Sequence, residues 1–528
     1  MKNAIVWFII LLGFCGCKPK NETSLSVDLG KPNIILINAD DLGYGDLGCY
    51  GATKVQTPNI DKLAAEGRIF TDAHSASAVC SPSRYGLITG SYPLRRNLWG
   101  ACGMNSPLIV DTSNATLASV LKDAGYATAC IGKWHLGFTD AKPDLNKPLK
   151  PGPIETGFDY YFGVPIVNSG PPFIYVENHS VVGYDPADPF IKGFNEHTEK
   201  WPEKGGYKAI AGAKEAHQLY KDEQVGTTLK NKAVEWLKNQ KENGEKPFFM
   251  YMATTNVHHP FTPAPQFKGT SQCGRYGDFV HELDWIVGEV LNTLDEMGEK
   301  ENTLVIVTSD NGGMFNQGGQ DAWKAGHRLN GDLLGFKFGA WEGGHRIPMI
   351  VRWPGKIPAN STSDQLISQI DFLPTFAKLT GHTLSPGDAP DAVDQLESFL
   401  GTPGEPVRET LIISPNNSSH LTARKGNWVF IPAQGEGGFQ GKEPGNHLYS
   451  GEYTQPVTQF VNSDIENGRV KPDAPPAQLY NLANDLAQTT NLYDSHPELV
   501  KEFEKLIAEY RDKIGPYKET GWISRRKP

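Results

Sequence analysis

The chain has 528 residues, enough to bury a large core and, at about 100–200 residues per domain, to form more than one unit. Its 50 Lys and Arg against 60 Asp and Glu leave a formal charge of −10, which argues against a nucleic-acid binder but leaves room for a local cationic pocket. Beyond the N-terminal leader no long apolar span, low-complexity tract or repeat period occurs, which argues against a helical membrane protein or a solenoid.

Lys2 precedes an apolar run over residues 4–14, too short to cross a bilayer and of the length of a signal-peptide core. The run ends in Phe14-Cys15-Gly16-Cys17. A small residue before Cys17 resembles a bacterial lipobox, so residues 1–17 are expected to be a lipoprotein signal with Cys17 as the lipidated residue. An ordinary cleaved signal is the alternative. Either places the mature chain outside the cytoplasm, in the periplasm or at the cell surface of a bacterium. Of the other cysteines, Cys80 stands apart, and the spacing of Cys49, Cys102, Cys130 and Cys273 implies no disulfide framework.

Residues 32–39 form a short apolar run rich in β-branched side chains and end in Asp40-Asp41. This predicts a buried parallel strand with two carboxylates at its C-terminal end, where open α/β sheets bind ligands. Thr57-Pro58 starts a helix over residues 59–66. Cys80-Ser81-Pro82-Ser83-Arg84 introduces a helix expected from Ser83, whose start offers free N–H groups to an anion, with Arg84 adding a planar fork. Further helices are expected over residues 115–124, 223–240 and 277–296. The apolar run 126–131 leads into Gly132-Lys133-Trp134-His135, and on an extended segment Lys133 and His135 would point the same way. Residues 138–223 are rich in Pro, Gly and aromatics and show no sheet element, so they are expected to be loops over the sheet's C-terminal edge. Strands over 248–252 and 303–308 run toward His258-His259-Pro260 and into Ser309-Asp310-Asn311-Gly312-Gly313. Strands alternating with helices predict an α/β fold, a large mostly parallel sheet sandwiched by helices, over residues 18–385. After residue 385 come short strands (409–413 and 420–431), a Gly/Pro-rich stretch and an amphipathic helix over 497–512. These predict a smaller C-terminal α+β subdomain with an antiparallel sheet over 386–528.

Asp40, Asp41, Asp310 and Asn311 are hard oxygen donors at the ends of two expected strands. Adjacent carboxylates repel unless a cation joins them, and oxygen-only ligation suits Ca²⁺ or Mg²⁺ rather than zinc. An Asp-Asp pair alone reads equally well as a turn or a helix cap, and Lys-x-His alone as a structural pair.

Several motifs occur together in one order. They are Asp40-Asp41, Cys80-x-Pro82-x-Arg84 with Leu87-Ile88-Thr89-Gly90, Lys133-x-His135, His258-x-Pro260, Asp310-Asn311, and Lys337 five residues before Glu342-Gly343-Gly344. The run from Gly344-His345-Arg346 to Trp353-Pro354-Gly355 and the segment 477–485 complete the set. The chain thereby resembles the type I sulfatases of the alkaline-phosphatase-like superfamily over nearly its whole mature length. The resemblance implies that a sulfatase-maturating enzyme oxidises Cys80 to formylglycine, whose hydrated aldehyde is the nucleophile. It implies one Ca²⁺ per chain, held by Asp40, Asp41, Asp310, Asn311 and residue 80. It places Arg84, Lys133 and Lys337 on the sulfate, His258 with Lys337 on the leaving alcohol, and His135 on the formylglycine proton. The chain departs from the family at Phe336-Lys337-Phe338-Gly339, since a glycine usually follows that lysine directly. A phosphonate monoester or phosphodiester hydrolase of the same superfamily is the nearest rival, and a catalytically silent glycan-binding lipoprotein the rival of another class. Trp99, Trp323, His327, Arg328 and Trp341 lie near the motifs in sequence and are expected to bind substrate, with core packing the alternative for the tryptophans. With export, these features point to a sulfated carbohydrate substrate, with algal polysaccharides such as ulvan or carrageenan preferred over host glycosaminoglycans. The membrane is expected to be met only through the lipid anchor.

Overall fold

The computed structural model describes residues 29–190 and 214–515, apart from 245, 402, 440 and 447; the leader, including Cys17, lies outside them. A ten-stranded sheet organises the chain in the order Ser361–Ser363, Arg68–Phe70, Met349–Arg352, Thr303–Ser309, Asn33–Ala39, Phe248–Ala253, Ala127–Gly132, Tyr160–Gly163, Val176–Glu177, Ser180–Val181. Its centre is parallel, Thr303–Ser309, Asn33–Ala39, Phe248–Ala253, Ala127–Gly132 and Tyr160–Gly163 all running the same way. Met349–Arg352 on one side and the hairpin Val176–Glu177/Ser180–Val181 on the other are antiparallel.

The central strands are continuous apolar runs because both faces are covered. Ile34 and Leu36 enter one core with the helices Leu117–Asp123 and Phe372–Thr380; Ile35 and Ile37 enter the other with Pro58–Ala65 and the long helix Gly274–Met297. Register then decides what the sheet presents at its edge. Asn38 lies opposite both Ala253 and Thr308, Ala39 opposite Ser309, and Gly132 opposite Ala253. Lys133 and Thr254 therefore leave the sheet level with Ala39 and Ser309, and Asp40 and Asp310 follow together one residue further on.

Two expectations are corrected. The helix expected from Ser83 begins at Cys80 and runs to Thr89, with Ser83 N–H already donating to Val79 O at 2.9 Å. Pro82 is tolerated there because the first turn's N–H groups have no partner within the helix. The stretch 138–223 is not all loop, since Tyr160–Gly163 adds a parallel strand and the small hairpin follows it. Leu396 and Phe399 pack in the main core, and the C-terminal sheet starts at Thr410, at the strand expected from residue 409.

That sheet is antiparallel, in the order Thr410–Ile413, Thr422–Lys425, Trp428–Ile431, Gln478–Asn481. The helix Pro497–Arg511 covers it with Val500, Phe503 and Ile507. Phe503 is 1% exposed and stacks on Phe430 with ring centroids 5.8 Å apart. Phe503→Ala is expected to cost about 3–5 kcal/mol, read as a lowered denaturant midpoint at unchanged m-value.

Candidate active site

The parallel strands deliver carboxylates to the sheet edge and neighbouring segments deliver cations to meet them. Lys133, the residue after the strand Ala127–Gly132, places Nζ 2.8 and 2.7 Å from the two oxygens of Asp40. Arg84, on the first turns of the helix Cys80–Thr89, donates from Nε to Asp310 Oδ2 at 2.9 Å and from Nη1 to Lys133 O at 3.1 Å. Lys337 reaches Asp41 Oδ1 at 2.5 Å, and Asn311 Nδ2 donates to the same oxygen at 2.9 Å. All six charged groups are buried. Burial opposes charge on Lys337 and Arg84, yet the surrounding acidic groups, led by Asp41 for Lys337 and Asp310 for Arg84, together outweigh it and hold both above their usual range. Burial raises Asp310 above the usual carboxylate range although Arg84 pulls the other way.

Cys80 begins its helix at this centre and is 2% exposed. Burial pushes its thiol up to about 11, against the pull of Lys133 and Lys337, so near neutrality it is a thiol rather than a thiolate. Ligand atoms of Asp40, Asp41, Cys80 and His258 all lie within 4.8 Å of one another. Asp41 Oδ2 and Asn311 Oδ1 are buried with no hydrogen-bond partner. Two unsatisfied oxygens beside three carboxylates form a donor set suited to a hard divalent cation, and the residues fit Ca²⁺.

The two imidazoles differ. His135 does not lie on an extended segment: its φ is +58°, so it reaches the centre by a left-handed turn after the strand and not by two-residue alternation with Lys133. Its Nε2 pairs with Cys102 O at 3.0 Å, and Nδ1 is buried without a partner. Burial, with Lys133 and Arg84, pushes His135 well below the ordinary imidazole range, which leaves Nδ1 an available lone pair. His258 pairs through Nδ1 with His259 O at 2.8 Å and turns Nε2 toward Asp41 Oδ2 at 3.8 Å. His258 is therefore the member of the His258-His259 pair at the centre.

The expected substrate residues divide. Trp341 is corrected to core: it is fully buried, and Nε1 donates to Gln478 Oε1 at 2.8 Å. His327 is corrected likewise, since it is buried with Nε2 2.7 Å from Asp46 Oδ1, while Asp46 also accepts from Tyr276 and Gly43 N. Trp99 is half-buried beneath the C-terminal sheet, with Nε1 on Asn97. Trp323 and Arg328 remain accessible, the guanidinium lying 4.0 Å over the indole. Sequence missed Gln369, whose Nε2 bonds Asn38 Oδ1 and Ser309 O and whose Oε1 accepts from Ser83 Oγ, tying two strands to the helix Cys80–Thr89. It also missed Phe338, whose ring lies 5.1 Å from Lys337 Nζ and meets the half-buried Phe439 edge-on at 4.4 Å. No sequence periodicity signals either residue. The five described cysteines are free.

A second buried cluster joins His74, from the short strand Ala73–His74, with Glu342 and His345. Arg346 Nε holds Glu342 at 2.7 Å, and Arg424 grips both oxygens of Asp72, which in turn pairs with His74. Two guanidiniums already match the two carboxylates, which disfavours a metal and makes this cluster structural.

The sulfatase family model matches residues 32–382, the span that carries every catalytic motif. The chain belongs to the sulfatase family. It is a type I sulfatase of the alkaline-phosphatase-like superfamily, and hence a sulfuric ester hydrolase. It is 38% identical to the N-acetylgalactosamine-6-O-sulfatase of Bacteroides thetaiotaomicron over 96% of this chain and 99% of that one. It is 36% identical to the N-acetylgalactosamine-6-sulfatase of Canis lupus familiaris over 70% of this chain and 66% of that one. A solved structure from work on the metabolism of multiple glycosaminoglycans by Bacteroides thetaiotaomicron superimposes with a TM-score of 0.77 at 36% identity, covering 91% of this chain and 99% of that chain.

Because His327 serves Asp46, His327→Ala is expected to destabilise this sulfatase by about 1–3 kcal/mol while leaving the KM of the folded enzyme unchanged. Thermal melts alongside steady-state kinetics check this; a raised KM at wild-type stability would return His327 to the substrate.

Proposed function

We propose that the enzyme removes 6-O-sulfate from N-acetylgalactosamine in glycosaminoglycan fragments. The observation that carries this is the near-full-length identity to a bacterial N-acetylgalactosamine-6-O-sulfatase. That relative shifts the preferred substrate from algal polysaccharides to glycosaminoglycans and lowers the standing of the phosphonate rival. The accessible Trp323–Arg328 pair and the Phe338–Phe439 edge offer the apolar faces and the cation that a sulfated sugar needs. The leader, with Cys17 as lipid-bearing residue, would anchor the enzyme to a membrane outside the cytoplasm, where such fragments arrive.

Residue 80 is proposed to act after conversion to formylglycine, because the buried thiol is protonated and has no second oxygen through which to expel sulfate. Asp40, Asp41, Asp310, Asn311 and residue 80 would hold Ca²⁺, which when bound would draw charge from the sulfate oxygens and acidify a hydroxyl of residue 80. Arg84, Lys133 and Lys337 converge from three segments to orient the sulfate for in-line attack. Lys337 keeps its proton beside Asp41 and supplies the proton that the departing sugar oxygen takes up as its bond to sulfur breaks; His258, which burial holds well below the ordinary imidazole range in the free enzyme, shares this role once the anionic sulfate is bound. His135 Nδ1, an available base, takes the proton of the hydroxyl remaining on residue 80, so that the aldehyde re-forms as sulfate leaves.

Free sulfate released from a panel of 6-sulfated N-acetylgalactosamine, 4-sulfated N-acetylgalactosamine, 6-sulfated N-acetylglucosamine and algal oligosaccharides tests the substrate. Turnover is expected for the first at least about tenfold above the rest, the scale of one well-placed polar discrimination. Preference for an algal ester would overturn the assignment. The peptide spanning residue 80 should carry a hydrazide-reactive aldehyde, and Cys80→Ala should abolish turnover in a folded protein; activity in that variant would sink the mechanism.

Chelation should inactivate the enzyme and lower its melting temperature, with Asp310→Ala reproducing both. His258→Ala should slow sugar sulfates more than nitrophenyl sulfate, because an acid matters most for a basic leaving group. The pH profile has a definite sign. His135 acts on the sulfated intermediate after the alcohol has left and must be neutral there. Its pKa is lowered, so the acid limb of kcat, where breakdown of that intermediate limits turnover, should lie below the pH of about 6.5 at which an ordinary imidazole titrates.

A further inference from the structure

The segment Phe336-Lys337-Phe338-Gly339-Ala340 carries the active-site lysine and makes no regular structure of its own. It is held from outside. Lys337 N donates to Gly313 O at 3.0 Å, Phe338 N to Ala78 O at 2.8 Å, and Asn416 N donates to Phe338 O at 2.9 Å. Phe338 has φ +79°, a left-handed backbone that is unfavourable for a bulky side chain and survives only where its surroundings impose it.

Glu436 imposes much of it. This residue follows the strand Trp428–Ile431 of the C-terminal subdomain and is fully buried. Its Oε1 accepts from Phe336 N at 2.6 Å, and its backbone oxygen accepts from Ala340 N at 2.8 Å, so one residue grips both ends of the lysine segment. Gly335 and Gly339 make room for it. A Cβ at Gly339 would lie 2.1 Å from Glu436 Cγ, and one at Gly335 would lie 2.6 Å from Oε1. The glycine that usually follows the lysine directly stands one place later here, where the glutamate packs. Glu436 forms no ion pair among the described residues, and its Oε2 has no hydrogen-bond partner. Burial pushes the carboxyl up to about 8. Burying an unpaired carboxyl costs free energy, and packing alone would be met more cheaply by an apolar side chain.

We propose that Glu436 is a positioning residue for Lys337, through which the C-terminal subdomain completes the sulfatase active site. Its action is indirect. By fixing Phe336 N and Ala340 N it sets where the ammonium of Lys337 stands against Asp41 and the sulfate, without touching either. The inference rests on Lys337 acting in turnover as proposed above.

The test is a double-mutant cycle on the folded enzyme, with Glu436→Ala, Glu436→Gln, Lys337→Ala and the Glu436→Ala/Lys337→Ala pair. Glu436→Ala is expected to lower kcat/KM by about tenfold or more, with a larger loss on sugar sulfates than on nitrophenyl sulfate, as for Lys337→Ala. Glu436→Gln keeps an oxygen acceptor for Phe336 N and should stay within about threefold of wild type. In the Lys337→Ala background, Glu436→Ala should cost nothing further. Equal losses from Glu436→Ala in both backgrounds, or Glu436→Gln as impaired as Glu436→Ala, would overturn the positioning role while leaving Lys337 catalytic. Lys337→Ala with wild-type kinetics would instead remove the lysine's role and this inference together. Should Glu436→Ala not fold, Glu436→Asp, with its acceptor withdrawn by one methylene, takes its place in the cycle with the same two outcomes.

Discussion

Everything at the centre of this sulfatase depends on the interleaving of Asp40, Asp41 and Asp310 with Lys133, Lys337 and Arg84 inside the protein. None of these groups could be buried alone, because an unpaired interior charge costs several kcal/mol after relaxation. Placed alternately, each carboxylate stabilises a cation and each cation a carboxylate. The arrangement is balanced before any ligand enters. The centre can therefore fold in advance and still accept a cation on its spare oxygens and an anion on its spare N–H groups.

That balance requires the strands to be in register. Asn33–Ala39 pairs with both Thr303–Ser309 and Phe248–Ala253, and a slip of one residue would turn Asp40 or Asp310 toward the wrong face of the sheet. Gln369 locks this alignment by bonding to the ends of two strands and to Ser83. The apolar cores on the two faces supply the stability, and the polar ends of the strands spend part of it on the site.

Much of this was legible in the sequence, for a physical reason. Continuous β-branched runs such as residues 33–39 and 303–308 mark strands covered on both faces, and motif residues placed just beyond such runs fall at the sheet's edge. Short or aromatic outer strands gave no comparable signal: Arg68–Phe70 has three residues, and Tyr160–Gly163 looks like loop composition. Backbone handedness at His135 and Phe338 was invisible because neither residue is glycine. Sequence proximity to a motif misled for Trp341 and His327, since one turn of chain decides between core and cleft and depends on partners as remote as Gln478 and Asp46. Glu436 was hidden for the same reason: its meaning lies in the two glycines, about a hundred residues earlier, that make room for it.

The seating of Cys80 also bears on the order of events in the life of the molecule. Its sulfur lies at the start of a helix whose every residue is buried, walled by Lys133, Lys337 and the strand ends. A second protein could not grip that residue in the finished fold, because doing so would mean withdrawing the helix from the core. Were Cys80 converted as proposed, the converting enzyme would have to meet it while the chain is still extended, in a race against folding. Mutations that merely hasten collapse around this helix would then yield a stable and silent protein.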